Sequence, residues 1–166
     1  MFIGQPATPA ALILRQAAQA ERLGNPARAR SLLCEAVSQD ETPESRFAWA
    51  IYLADHGEEQ AALTEWRRLW EAIQGTEYAD LAWRVGSNLA ALHRRRHEWP
   101  ASRVWHQQSI RAAMQLPARE SRAALREICR DAAEEAIAAG RPRLAERYLA
   151  SAFAAIDPGE SDAGED

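Results

Sequence analysis

No stretch of the chain alternates apolar and polar residues for long enough to mark a half-buried strand, and Val, Ile and Thr are sparse. Apolar residues recur instead three positions apart. The pairs Ala17 and Ala20, Ala50 and Leu53, Leu89 and Leu92, and Ala133 and Ala136 each place a small-to-medium apolar stripe along one helical face. The segments carrying them are dominated by Ala, Leu, Arg, Glu and Gln, residues that lose little conformational freedom on entering a helix.

Punctuation divides these segments. Thr8-Pro9, Asn25-Pro26 and Thr42-Pro43 pair a capping side chain with a proline at the first helical position, where the missing N–H has no intrahelical partner to lose. Trp99-Pro100, Leu116-Pro117 and Arg141-Pro142 mark further starts with weaker caps. Gly24, Gly57, Gly75 and Gly140 fall where helices should end, because glycine reaches positive φ without a steric clash. The marks predict eight helices, at roughly residues 9–23, 26–38, 43–56, 58–74, 77–96, 100–114, 118–139 and 142–156. Residues 1–156 read as a single helical domain, and 157–166, rich in acids with Pro and Gly, as a disordered acidic tail.

Aligned on the turns, the helix pairs repeat. Five, nine and twelve residues after Gly24 come Ala29, Leu33 and Ala36; after Gly57, Ala62, Trp66 and Leu69; after Gly140, Ala145, Leu149 and Ala152. A weaker copy begins at Arg96 and runs Ala101, Trp105, Gln108. A small residue at offset five lets two helices cross closely, and the larger one a turn later fills the gap beside it.

This arrangement resembles the tetratricopeptide repeat (TPR) family, in which the turn glycine, the alanine five residues on and the bulky residue four beyond hold the same places. The stretch from Asn88 to Leu92, continuing to Ala101 and Trp105, carries the likeness most clearly. The pattern departs from the family in having Ala or Leu where the first helix carries Gly, and no Tyr three residues later. The offset-five alanines also lie 33, 39 and 44 residues apart, against the family's 34 or so. The resemblance implies an all-α, right-handed α-solenoid of about four helix-turn-helix units and about eight helices. It also implies a protein-protein interaction scaffold that binds a partner protein or peptide on a concave surface lined by the first helices. On this chain that face would comprise Arg15, Ala18, Arg22, Phe47, Ile51, Trp83, Arg94, Arg130 and Glu134. The Lys and Asn with which some members grip a C-terminal carboxylate are absent, since those places hold residues such as Leu14, Ala18, Gly86 and Ala90. An apolar or mixed surface is expected to do the binding.

Composition narrows the alternatives. The chain has 47% hydrophobic and 27% charged residues, within the globular range. A net charge of −4 argues against a dedicated nucleic-acid binder, which needs clustered positive charge. The dense basic run His93, Arg94, Arg95, Arg96 and His97 reads as a solvated helix end facing the negative end of the helix dipole. Its functional alternative is an anionic docking patch for an acidic segment or a nucleic-acid backbone, extended by Arg103 and Arg111. Trp66 and Trp105 occupy the bulky repeat position and are expected in the core, whereas Trp70, Trp83 and Trp99 fall off the stripe and are candidate contact residues.

No nucleophile-base pair, phosphate-cradling loop or His-Glu helix motif appears, so the reading is a binding protein rather than an enzyme, with no cofactor. His93 and His97 lack a third metal ligand at a convincing spacing, and Glu134-Glu135 reads as a solvated face. Cys34 and Cys129 are expected as two buried thiols in a reducing compartment. The N-terminal stretch lacks a basic n-region and the run Ala10 to Leu14 is too short for a signal core or a membrane span, which predicts a cytoplasmic protein without a membrane partner. A peptide-sensing module remains open, and so does a homo-oligomer, because solenoid ends expose apolar helices such as that carrying Tyr148, Phe153 and Ile156.

Overall fold

A computed structural model of the chain describes residues 9–154. Among them are eight α-helices and no strand. They are α1 (Pro9–Arg22), α2 (Pro26–Gln39), α3 (Pro43–Asp55), α4 (Glu59–Ile73), α5 (Ala79–Arg95), α6 (Trp99–Ala113), α7 (Ala118–Ala138) and α8 (Pro142–Ala154). The expectations for Thr8, the Phe153 side chain, Ile156 and the acidic tail lie outside the described residues.

The caps form as the side-chain chemistry requires. Asn25 Oδ1 accepts from the Arg28 N–H at 3.1 Å, and Thr42 Oγ1 accepts from the Ser45 N–H at 3.2 Å. Pro117 differs from expectation, standing at the N-cap of α7 instead of inside its first turn.

Four helical hairpins, α1-α2, α3-α4, α5-α6 and α7-α8, share one turn. Its central residue has positive φ in every case: Gly24 (69°), Gly57 (78°), His97 (57°) and Gly140 (69°). The next residue's N–H bonds back to the carbonyl four positions before the turn residue: Asn25 to Ala20, Glu58 to Leu53 and Glu98 to His93, each at 2.9 Å, and Arg141 to Ala136 at 2.8 Å. This 6→1 bond satisfies a carbonyl that the end of the helix would otherwise leave unpaired.

The third hairpin therefore turns at His97, one residue later than the sequence alignment on Arg96. With the register corrected, the residue seven before the turn is alanine in all four hairpins, namely Ala17, Ala50, Ala90 and Ala133, each buried. Offsets five, nine and twelve become Ser102, His106 and Ser109, all buried, while Ala101, Trp105 and Gln108 are half-buried. The second helix of this hairpin thus faces its neighbours with polar side chains where the first two hairpins use apolar ones.

The chain divides into two compact units, Met1–Ala72 and Ile73–Asp166. In the first, Ala17, Ala20, Ala29, Leu33 and Tyr52 form a buried cluster, with Leu14, Leu32, Ala48 and Trp49 packed against it. The Tyr52 hydroxyl donates to the Pro26 carbonyl at 3.0 Å, tying α3 to the start of α2. Trp66 is fully buried on α4 with Phe47 of α3 edge-on to its ring, centroids 5.0 Å apart. Arg46 of α3 pairs with Glu65 of α4 at 3.0 Å.

In the second unit α5 and α6 approach so closely at Gly86 that a Cβ there would stand 3.0 Å from the Cβ of Ser109. The Ser109 hydroxyl donates to the Trp83 carbonyl and lies 2.9 Å from the Ser87 hydroxyl. Ala133, Ala136 and Ala145 seal the α7-α8 crossing, with Leu144 and Tyr148 packed on them.

Candidate docking cleft

In the first unit α1 and α3 present equivalent faces on either side of an open cleft of about 280 Å³. Leu14, Ala17, Ala18 and Glu21 come from α1, Ala48, Ile51, Tyr52 and Asp55 from α3, Leu33 from α2 and His56 from the cap of α3. The spacing of three and four residues is that of one helical face on each side. Ala17, Leu33 and Tyr52 are buried and form the floor, whereas Ala18 and Ile51, each six residues before its turn glycine, are exposed on the walls. Three alanines among the lining residues leave room that larger side chains would fill.

Polarity is confined to one end. Glu21 and Asp55 stand in the last turns of α1 and α3, and His56 stacks on Tyr52 with centroids 3.9 Å apart. His56 Nδ1 lies 2.8 Å from the Tyr52 carbonyl, so this nitrogen carries the proton and donates; Nε2 lies 3.8 Å from Glu21. Outside the cleft, the Arg30 guanidinium sits 5.5 Å over the Trp49 ring and pairs with Glu58. That contact raises the Arg30 pKa and lowers that of Glu58, in both cases mainly through the hydrogen bond between them.

Of the residues expected on a binding face, Ala18 and Ile51 are brought together here. Arg15 and Arg22 are exposed on α1 but do not line the cleft. Phe47 is turned onto Trp66. Trp83, a candidate contact residue, is instead buried, with the Arg84 guanidinium 5.5 Å from its ring. In the second unit, Arg94 is half-buried, Arg130 is exposed and 3.4 Å from Asp131, and Glu134 is exposed. None of the six tryptophans is exposed; Trp66 and Trp83 are buried and Trp49, Trp70, Trp99 and Trp105 half-buried.

The basic run is not a bare positive patch. His93 departs from the expectation of a solvated run: it is buried, with Nδ1 2.5 Å from Glu98, because its position four before the turn faces the hairpin interior. Arg96 lies 3.3 Å from the same carboxylate. Arg95, Arg96 and His97 are exposed.

Two further expectations are corrected. Cys34 is exposed on α2 and only Cys129 is buried, where desolvation raises its thiol pKa. Glu134 is solvated as expected, but Glu135 beside it is 6% exposed and faces α6. It accepts from Ser102 Oγ and, at 3.0 Å, from His106 Nε2. Burial pushes the Glu135 pKa up, yet the bonds from His106 and Ser102, helped by the charges of His106 and Arg94, outweigh it and hold the group below the ordinary carboxylate range.

Serine, histidine and glutamate together suggest nucleophilic catalysis, but the geometry is different. Ser102 and His106 both engage Oε2 of Glu135, so the carboxylate is the hub and the imidazole does not activate the serine. Ser102 is also wholly buried and lies 2.9 Å from the Ala90 carbonyl. The cluster locks α6 to α7.

No protein-family model and no curated protein matches the chain. Solved structures do. One described as "Crystal structure of MamA" aligns over 95% of this chain and 82% of its own, at 18% identity and a TM-score of 0.64. "MamA RS-1 ArsTM double mutant" and "MamA 41-end from Desulfovibrio magneticus RS-1" align over 96% of this chain and all of theirs, at 13% and 12% identity and TM-scores of 0.54 and 0.53. The fold is therefore an all-α, TPR-like solenoid fold. Among the described residues no helix is long and apolar enough to cross a membrane.

Proposed function

We propose that the chain is a protein-interaction scaffold whose first unit docks a segment of a partner protein in the α1-α3 cleft. The observation that carries this is the cleft itself, with an apolar floor, exposed Ala18 and Ile51 on opposing walls, and polar groups only at one end. An unfilled apolar face flanked by a few directional polar groups suits an inserted side chain from a partner helix or extended segment. The nucleic-acid alternative draws less support, because Glu98 already engages His93 and Arg96 within the basic run and the net charge is −4.

The test is affinity purification from the native cell with the wild-type chain and Ile51→Glu, which sets a charge on the cleft wall. A partner present with wild type and absent with the variant is expected. A partner held equally by both contradicts docking in the cleft.

A further inference from the structure

The polar end of the cleft names the partner's chemistry. Both carboxylates there sit where a helix least favours them, since the C-terminal end of a helix carries partial negative charge and stabilises cations. α3 has no basic residue in its last turn, yet Asp55 occupies it. Asp55 has no ion-pair partner among the described residues, and Glu21 has only His56, at the long distance of 3.8 Å. Arg22 and Arg15, the nearby cations on α1, do not line the cleft. An apolar trough thus ends in two carboxylates and two helix C-termini, a local negative field where no arginine lines the cleft and the one basic side chain in its lining is His56, with Arg22 in the last turn of α1 lying outside it.

We infer that the cleft takes a peptide segment carrying an aliphatic or aromatic anchor followed within about a helical turn by Lys or Arg, with the anchor on the Leu33-Tyr52 floor and the cation between Glu21 and Asp55. This deepens the docking reading above and rests on it. A cation placed there satisfies both carboxylates, whereas an acidic residue at the same point meets like charge and two negative helix ends.

The experiment selects a display library of random twelve-residue peptides on the full chain, in parallel with a Glu21→Gln/Asp55→Asn variant and with Ile51→Glu. Ala18→Glu serves as a second block on the opposite wall, and all variants are checked for wild-type helicity. Wild type should enrich peptides with an apolar residue and a Lys or Arg within four positions. Those peptides should bind the double carboxylate variant about three- to tenfold more weakly, as one or two exposed ion pairs allow, and should weaken with added salt. Flanks that are neutral or acidic, or a preference for Lys and Arg that survives the loss of both carboxylates, would overturn the inference while leaving docking intact. No binders at all, or binders indifferent to both Ile51→Glu and Ala18→Glu, would overturn the docking reading and this inference with it.

Discussion

Replacing Glu135 with Ala tests whether the buried polar hub holds α6 to α7. The change removes the acceptor of His106 Nε2, on a ring whose Nδ1 already has no hydrogen-bond partner. Leaving a buried donor unmet costs about 1–3 kcal/mol, and the space left by the deleted carboxyl costs about 1 kcal/mol more. Ser102 is partly protected, since the Ala90 carbonyl lies within reach of its hydroxyl. A loss of about 2–4 kcal/mol is expected, which for a chain of this size lowers Tm by on the order of 10 °C.

The same logic predicts a rescue. In the first two hairpins offset five is Ala and offset nine is Leu33 or Trp66, so Ser102→Ala/His106→Leu/Glu135→Met extends their apolar chemistry to the third. Exchanging a buried polar network for apolar groups of similar volume is often neutral or stabilising, so the triple variant should return to within about 1 kcal/mol of wild type or exceed it. Urea unfolding followed by far-UV circular dichroism reads both. Glu135→Ala within about 0.5 kcal/mol of wild type, or a triple variant no better than the single one, would refute the reasoning.

The pH dependence carries a fixed sign. Because Glu135 titrates lower in the folded chain than its ordinary 4.5, its contribution is complete above that value and drains away as pH falls through the folded pKa. Wild type should therefore lose more stability on acidification below about pH 4.5 than Glu135→Ala does, and parallel curves would count against the assignment. At the turns, Gly57→Ala should cost about 1–2 kcal/mol, since φ is 78° there. His97→Gly should be neutral or stabilising by less than about 1 kcal/mol, its relieved strain offset by unfolded-state entropy and the lost edge contact with Trp99. Equal costs at both positions would contradict the shared turn. A thiol reagent under native conditions should label Cys34 fast and leave Cys129 unmodified until the chain unfolds, whereas two fast thiols would mean that α7 is not packed as described.

Much of the fold was legible because helix ends are written in local chemistry. Asn25, Thr42 and the turn glycines mark helix ends by themselves, and the boundaries among the described residues, the end of α8 apart, lie within about two residues of expectation. Spacing built on glycine places the third turn one position early, because that turn uses a histidine in the left-handed region. The alanine seven residues before each turn was the available clue, since only the His97 register makes it invariant. That slip also hid the buried polar hub: Glu135 looks like any acid on an Ala-rich helix until Ser102 and His106 are placed opposite it. Ala18 and Ile51, which the resemblance assigns to an inner face, stand at one offset from their turns and line the cleft, whereas Glu21, Asp55 and Tyr52 join them only when α1, α2 and α3 pack.

Whether the first unit's cleft receives a partner segment is read out by methyl NMR spectra recorded as a selected peptide is titrated into the chain. Docking in the cleft should confine the shifts to Leu14, Ala17, Ala18, Leu33, Ala48 and Ile51. Shifts clustering instead on Val104, Ile128 or Ile137 of the second unit, with Ile51 unmoved, would contradict it.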